Sequence, residues 1–348
     1  MNYKDRIYGE VEISEPVILE LLASPALQRL KGIDQFGYLP GYAIVPSNGF
    51  PGGPVSRFEH SVGVFLLLRK YGASSEEQIA GLLHDVSHAV FSHSIDYALR
   101  DGEIAAKQDH QDNVFETFVR NSGIPEILKK FGLDVDYILD ENNFPLKEKK
   151  LPDLCADRID YFLRDSVDIG VMDNVTADDF LKHLRAENGV WFFDNFLTAK
   201  KCVDLFFKIN KNYYCAFDDA RMFGAVGGCV KYALEKGYLE KADLFTTDDE
   251  VVAKIKNHLD DEKLKLLFAR MNNEIEAKND PADFDQRVLC KSRAVDPFFM
   301  TQKRERSKDA KIFKDGEKLK RVSEVDATWA AALPEELKPK EYFIKFEK

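Results

Sequence analysis

Two imidazoles and a carboxylate crowd into five residues at His84-Asp85-Val86-Ser87-His88. Neutral imidazole and carboxylate are the donors that divalent transition metals take, and the chain concentrates them in one stretch. Of its seven histidines, five (His60, His84, His88, His93 and His110) lie between Arg57 and Asp112, interleaved with Asp85 and Asp96. A plainer reading stands beside this one, since His and Asp on the polar face of an amphipathic helix are commonly just solvated. His183 and His258 lack such company and read as ordinary surface or core residues.

The flanking pattern says which elements must position these groups. A helix over 75–90 places Ile79, Leu82, Leu83, Val86 and Val90 in one apolar stripe. It turns His84, Asp85 and His88 to the other side, within an arc of roughly 100°. Upstream, Val62 to Leu68 is apolar apart from Gly63, which predicts a buried helix over 57–71. His60 sits one turn inside its start and would point inward, where an imidazole needs a partner. A structural hydrogen bond or a metal shared with His84 and Asp85 would serve. Downstream, Asp157, Asp160, Tyr161, Arg164, Asp165 and Asp168 recur at helical spacing along 152–167, backed by Cys155, Ile159, Phe162 and Ser166. That ridge is either a solvated face laced by an Asp160–Arg164 pair or, through its Tyr and Arg, a surface for handling anions.

Taken together, these segments resemble the HD-domain metal-dependent phosphohydrolases. Within that superfamily they resemble the deoxynucleoside triphosphate triphosphohydrolases: the SAM-and-HD-domain enzyme of animals and the bacterial dGTPase-like proteins. The resemblance runs through Asp5-Arg6-Ile7-Tyr8-Gly9, Ser24-Pro25-Ala26-Leu27-Gln28-Arg29-Leu30, Asp34-Gln35-Phe36-Gly37, Arg57-Phe58-Glu59-His60, His84-Asp85 to Asp96, and Ala156-Asp157-Arg158-Ile159-Asp160-Tyr161. It covers roughly residues 5–170. It implies a mainly α fold, an HD-domain helical bundle with a small mixed α/β C-terminal subdomain. It also implies one divalent metal ion (Mn, Fe, Co, Ni, Zn or Mg) on His60, His84, Asp85 and Asp157, with ligand softness favouring the first five metals over Mg. His88, His93, Asp96 and His110 match residues that orient water or move protons. Arg57, Arg158 and Tyr161 match phosphate contacts, and Gln35 and Asp165 match sugar contacts. For His93 to join the site, the helix must end or bend near Ser87–Ser92, since His93 otherwise falls about 180° from His84. The chain departs from the family at Ser87, Ala89 and Val90, where Gly, Gly and Pro are usual, and at Gln111, where Glu is common. Ala23 and Lys31 stand where the animal enzyme reads an activating nucleotide, and only Met1 to Lys4 precede Asp5. No SAM-type domain and no nucleotide-activated tetramer are therefore expected, and a homodimer is left open.

Composition fits this reading. The 348 residues are 45% hydrophobic and 31% charged, with net charge −11. That balance allows a large core and argues against stable nucleic-acid or acidic-membrane binding. An anionic substrate would be drawn by local positive charge from the metal, Arg57, Arg158 and Arg164. Five cysteines without a Cys-x-x-Cys read as reduced thiols in a cytoplasmic protein, with Cys215 a core residue. No signal peptide and no run of about eighteen apolar residues is visible. Further helices are expected over 14–36, 92–100, 110–121, 125–131, 197–237, 248–258 and 262–277. A strand is expected at 190–193, loops over 38–56 and through the basic stretch 301–320, and a mixed segment from Pro281 onward. Two units follow: 1–240, the helical catalytic domain, and 241–348, a C-terminal subdomain packed on it. The expected activity is phosphohydrolysis of a small-molecule (deoxy)nucleotide, with dNTP triphosphohydrolysis first and nucleoside monophosphate hydrolysis second. Two alternatives remain: a dinuclear-iron oxygenase using His88 and His110 for a second metal, and a non-catalytic nucleotide-binding module.

Overall fold

The computed structural model of the protein describes residues 1–37, 55–100, 102–301 and 319–347. Most of loop 38–56 and of the basic stretch 301–320 lie outside the described residues. The chain is mainly α-helical. Its helices are α1 (Pro16–Ala23), α2 (Pro25–Arg29), α3 (Arg57–Lys70), α4 (Ser75–Leu83), α5 (Asp96–Leu99), α6 (Gly102–Ala105), α7 (His110–Arg120), α8 (Ile124–Lys130), α9 (Val135–Leu139), α10 (Ala156–Asp168), α11 (Asn174–His183), α12 (Phe196–Ile209), α13 (Phe217–Glu235), α14 (Asp248–Lys256), α15 (Glu262–Met271) and α16 (Ala327–Glu336). One π-helical turn, Asn210–Tyr214, interrupts the run between α12 and α13. No described helix is long and apolar enough to cross a membrane.

Three small sheets complete the fold. An N-terminal antiparallel hairpin pairs β1 (Asn2–Asp5) with β2 (Gly9–Glu12). A second sheet has the order β3 (Leu184–Glu187), β4 (Val190–Phe193), β7 (Phe298–Met300), β8 (Leu319–Arg321), with β4 and β7 parallel. The third sets β9 (Lys340–Phe346) between β5 (Ala277–Asn279) and β6 (Gln286–Cys290). Strands from both sides of residue 240 thus share one sheet. The N-terminal hairpin was not expected, because Asn2–Asp5 and Gly9–Glu12 show no apolar alternation. Its turn is set by the Asp5 carboxylate, which accepts the N–H groups of Ile7 (2.7 Å) and Tyr8 (3.0 Å), and by Gly9 at φ +74°.

α3 is the axis of the molecule. Ser56 caps it through the Glu59 N–H, and its side chains are buried on every face from Val62 to Leu68. Val64, Leu67 and Leu68 join one apolar core with α10, α11 and α12, while Phe58, Val62, Phe65 and Leu66 join another with α1, α4 and α8. A third core, around α13, α14 and α15, takes in Val90 and Phe91. α10 crosses α3 at Gly63, where a Cβ would overlap Arg164 Nη2 and Asp160 Oδ1.

The expected helix over 75–90 ends at Leu83. Tertiary partners replace its ladder: Arg29 Nη2 donates to the carbonyls of Val86 (2.9 Å) and His88 (2.7 Å), and Val90 N–H donates to Leu244 O (2.8 Å). Phe91 N–H donates to Asp248 Oδ1 at 2.7 Å, and Phe91 and Ser92 take left-handed conformations (φ 57° and 46°). Such backbone costs energy outside glycine and persists only when its surroundings dictate it. The break redirects the chain into Ser92–Ile95 and α5, and it lets His93 turn back toward His88.

Because Gly63 is the point of closest approach between α3 and α10, Gly63→Ala is expected to destabilise the fold by about 1–3 kcal/mol in urea denaturation. An unchanged midpoint would show that the two helices can separate there at no cost.

Candidate metal centre and its cavity

Three elements deliver the donors. His60 comes from the first turns of α3, His84 and Asp85 from the end of α4, and Asp157 from the first turn of α10. His60 Nε2 lies 2.9 Å from Asp157 Oδ1 and 3.2 Å from His84 Nε2, and His84 Nε2 lies 3.5 Å from Asp157 Oδ1. One ligand atom from each of these three residues falls within 4.8 Å of the others. Asp85 borders the trio, with oxygens 3.4 Å from His84 Nε2 and 3.9 Å from His60 Nε2.

The outer nitrogens decide what the inner ones can be. His84 Nδ1 is 2.8 Å from the Gly81 carbonyl, and His60 Nδ1 is 2.8 Å from Asp160 Oδ2. Both partners are acceptors, so both Nδ1 atoms carry hydrogen and both Nε2 atoms present lone pairs in the neutral rings. Two lone pairs and the Asp157 carboxylate therefore point at one another. A cation resolves that repulsion, and donors about 3 Å apart suit a shared ion with bonds near 2.1 Å. The residues fit a divalent metal. Protons are the competing tenants: burial opposes a charged His60, yet Asp157 and Asp160 outweigh it and push its pKa up to about 10. Burial likewise favours a neutral Asp157, but His60 and His84 hold it well below the usual carboxylate range.

Behind His60 lies a buried ionic network. Asp160 accepts from Tyr8 Oη (2.8 Å) and from Arg164 Nε and Nη2 (3.0 and 2.9 Å). Arg164 also reaches Asp5 and Glu59, and Arg6 ties Glu59 to Asp168. Arg164 has no exposed surface. Its expected contribution of positive charge to a substrate is therefore corrected: it neutralises the carboxylates that orient His60.

A cavity of about 720 Å³ opens onto this centre. Of the expected site residues, Gln35, Arg57, His84, Asp85, His88, His93, Asp157, Arg158, Tyr161 and Asp165 line it; His60 underlies it. Arg57 is engaged by the protein, donating to Asp85 Oδ2 (2.8 Å), Ser92 Oγ (2.9 Å) and the Gln35 carbonyl (3.2 Å). Arg158 Nη1 and Nη2 hold the Lys149 carbonyl, each at 3.2 Å, and the pair leaves only Nε buried without a partner. Asp165 Oδ2 accepts from Tyr214 Oη at 2.8 Å, its Oδ1 is buried without a partner, and burial pushes its pKa up to about 7. His88 Nε2 is 3.3 Å from Asp85 Oδ1; burial and Arg57 lower its pKa to about 4. His93 stands T-shaped against His88, with centroids 5.1 Å apart, and its Nδ1 is 3.8 Å from Asp96 Oδ2. Burial pushes Asp96 up to about 7. His110 is not among the cavity-lining residues: its backbone N–H donates to Asp96 Oδ1 (3.0 Å), and its Nε2 is buried without a partner.

Other lining residues were not anticipated, among them Phe36, Gln108, Lys149, Lys150, Tyr214, Phe223, Lys291 and Arg293. The Lys147-Glu148-Lys149-Lys150 run was the visible signal for some of them; the 291–293 segment gave none. Gln111 turns out to cap the His84 carbonyl through its Nε2. A carboxylate there could not donate that bond.

Residues 57–165 match the HD domain family model. The chain is 35% identical over 298 residues to the uncharacterized protein YdhJ of Bacillus subtilis (strain 168), covering 85% of this chain and 88% of that one. It is 42% identical over 184 residues to the metal-dependent phosphohydrolase cns2 of Cordyceps militaris (53% and 50%). It is 28% identical over 230 residues to the human deoxynucleoside triphosphate triphosphohydrolase SAMHD1, covering 52% of this chain and 35% of that one. A phosphohydrolase structure from Bacteroides thetaiotaomicron superposes with TM-score 0.70 at 17% identity, over the whole of both chains, which shows the shared fold. The chain belongs to the HD-domain family of metal-dependent phosphohydrolases.

Asp160→Asn, which can present an amide to His60 Nδ1, is expected to weaken divalent-metal affinity about 10–100-fold, and Tyr8→Phe to do so by less. Calorimetric titration with Mn²⁺ checks this. Wild-type affinity in Asp160→Asn would mean that the network behind His60 does not orient it.

Proposed function

We propose that this hydrolase acts on (deoxy)nucleotides, and first on dNTPs, releasing triphosphate, with the metal held by His60, His84, Asp85 and Asp157. The carrying observation is the composition of the cavity wall. Lys149, Lys150, Lys291 and Arg293 line it and form no ion pair among the described residues, beside the carboxylates of Asp112, Glu141, Glu148 and Asp219, of which burial pushes Asp112 up to about 6 and Glu148 up to about 7. Four unpaired cations beside carboxylates that burial disposes to stay neutral suit a polyphosphate better than the roughly two charges of a phosphomonoester. The same cavity is lined by Gln35 and Asp165, whose Oε1 and Oδ1 are acceptors without a protein partner beneath its surface, and by the Phe36 and Phe223 rings as apolar surface. Its volume lies in the range of pockets that enclose a drug-sized ligand. The human relative named as a deoxynucleoside triphosphate triphosphohydrolase supports the same substrate class.

The ion, when bound, supplies Lewis acidity and positive charge at the phosphate oxygens. The protein supplies the rest. Arg57 fixes Asp85 and closes the Gln35 backbone onto the site, and its charge and that of Arg158 bear on developing phosphate charge from the cavity wall. His93 lines the cavity and is the residue we assign to proton transfer: its Nδ1 is buried without a hydrogen-bond partner, and Asp96 Oδ2, 3.8 Å away, is the nearby carboxylate that would orient the ring once the two close to hydrogen-bond distance. His93 is neutral in the free protein, because burial and the charges of Arg57, Arg293 and Lys291 disfavour its cation. An incoming polyphosphate offsets those charges and raises its basicity. His110 bears on this dyad through Asp96 rather than on the substrate, and Tyr161 lends an aromatic wall beside His60. The dinuclear alternative draws no support, since His110 does not share the cavity with His88.

A screen of metal-loaded protein against dNTPs, nucleoside monophosphates and cyclic nucleotides should show turnover first with dNTPs, abolished by chelation and restored by Mn²⁺. His93→Ala should lower kcat about 10²–10⁴-fold with metal content unchanged. Turnover of monophosphates with dNTPs inert would overturn the substrate assignment.

A further inference from the structure

The residues that follow β6 form an arm across the cavity. Residues 291–293 follow directly on β6, and their burial alternates, with Ser292 buried and Lys291 and Arg293 half-buried. Ser292 faces inward and is buried. Its Oγ accepts from Asn210 Nδ2 (2.9 Å) and donates to the Glu336 carbonyl (2.6 Å), while Asn210 Oδ1 accepts the Arg293 N–H (2.8 Å). Asn210 has no exposed surface and opens the π turn; such turns recur at functional sites. With Ser292 pinned on both sides, Lys291 and Arg293 are both delivered to the cavity. Arg293 Nη2 donates to Gln108 Oε1 (2.8 Å), and its guanidinium lies 5.7 Å from the Tyr214 ring centroid. These contacts are neutral: they orient the guanidinium without discharging it.

We infer that Lys291 and Arg293 are a preorganised clamp for the phosphates beyond the one attacked, and so set the preference for polyphosphorylated substrates. This rests on the nucleotide reading and deepens it. The anchoring matters most for Arg293, whose guanidinium Gln108 and Tyr214 hold, because a cation held in place loses little freedom when it binds an anion; Lys291 is placed by its backbone alone. A guanidinium grips two phosphate oxygens where an ammonium offers a point charge. The Lys149 and Lys150 ammonium groups lie on the same cavity, on a segment held through its backbone by Arg158 and Asp153, and neither carries a guanidinium.

The test is calorimetric titration of the metal-loaded full-length protein with inorganic tripolyphosphate and, separately, with orthophosphate. Lys291→Gln and Arg293→Gln should each weaken tripolyphosphate about 10–100-fold, and orthophosphate by no more than about threefold, at wild-type metal content and thermal midpoint. Lys291→Arg should keep most of the affinity, which guards against a merely misfolded Gln variant. Tripolyphosphate binding unchanged in both Gln variants, or both anions weakened equally, would overturn the clamp. The titration needs no turnover. Failure of the nucleotide reading would show separately, as wild-type protein that hydrolyses no nucleotide.

Discussion

Two imidazole lone pairs and a carboxylate held within about 3 Å of each other at the floor of the cavity repel one another, and this constraint organises the molecule. His60 cannot turn away, because Asp160 holds its far nitrogen, and His84 cannot, because the Gly81 carbonyl holds its own. Something positive must occupy the point where they meet. The protein prepares for that charge at some depth. Arg164 and Arg6 pair with Asp5, Glu59, Asp160 and Asp168 behind the centre, and although burial opposes its charge, Arg164 and His60 hold Asp160 below the usual carboxylate range. A buried ionic cluster of this kind is weak evidence for stability. Its value here is orientation of His60.

Much of this was legible in the residues. The apolar run from Val62 to Leu68 demanded a buried helix, and a buried helix with His60 in its first turns demanded a partner for that imidazole. The choice of Asp157 over Asp160 came only from resemblance, and the geometry gives a physical reason for it: Asp160 is spent on His60 Nδ1, Tyr8 and Arg164. The failures share one cause. The helix over 75–90 was read from periodicity, which continues through Val90, but the break at Leu83 is enforced by Arg29, Leu244 and Asp248, residues far away in the chain. The polar ridge of α10 read equally well as solvated. What buries it is an N-terminal hairpin with no apolar alternation to announce it.

The cavity wall shows the same limit more sharply. Besides Arg57 and Arg158, its cations include residues 149–150 and 291–293, which meet only in three dimensions, and no local pattern at 291–293 separates cavity-lining Lys and Arg from surface ones. Gln111 is instructive in another way. Judged against its family it looked like a lost carboxylate, but in place its amide caps the carbonyl of a metal-site histidine. Resemblance offered both His110 and His93 as proton carriers, and of the two it is His93 that lines the cavity.

The most direct test of the central claim is elemental analysis of metal per chain after saturation with Mn²⁺ and removal of excess, in the wild-type protein and in the His84→Ala, Asp85→Ala double variant. One equivalent in the wild type and none in the variant is the expected result. Full retention of the metal by the variant would contradict the account, because the converging lone pairs would then not be what holds it.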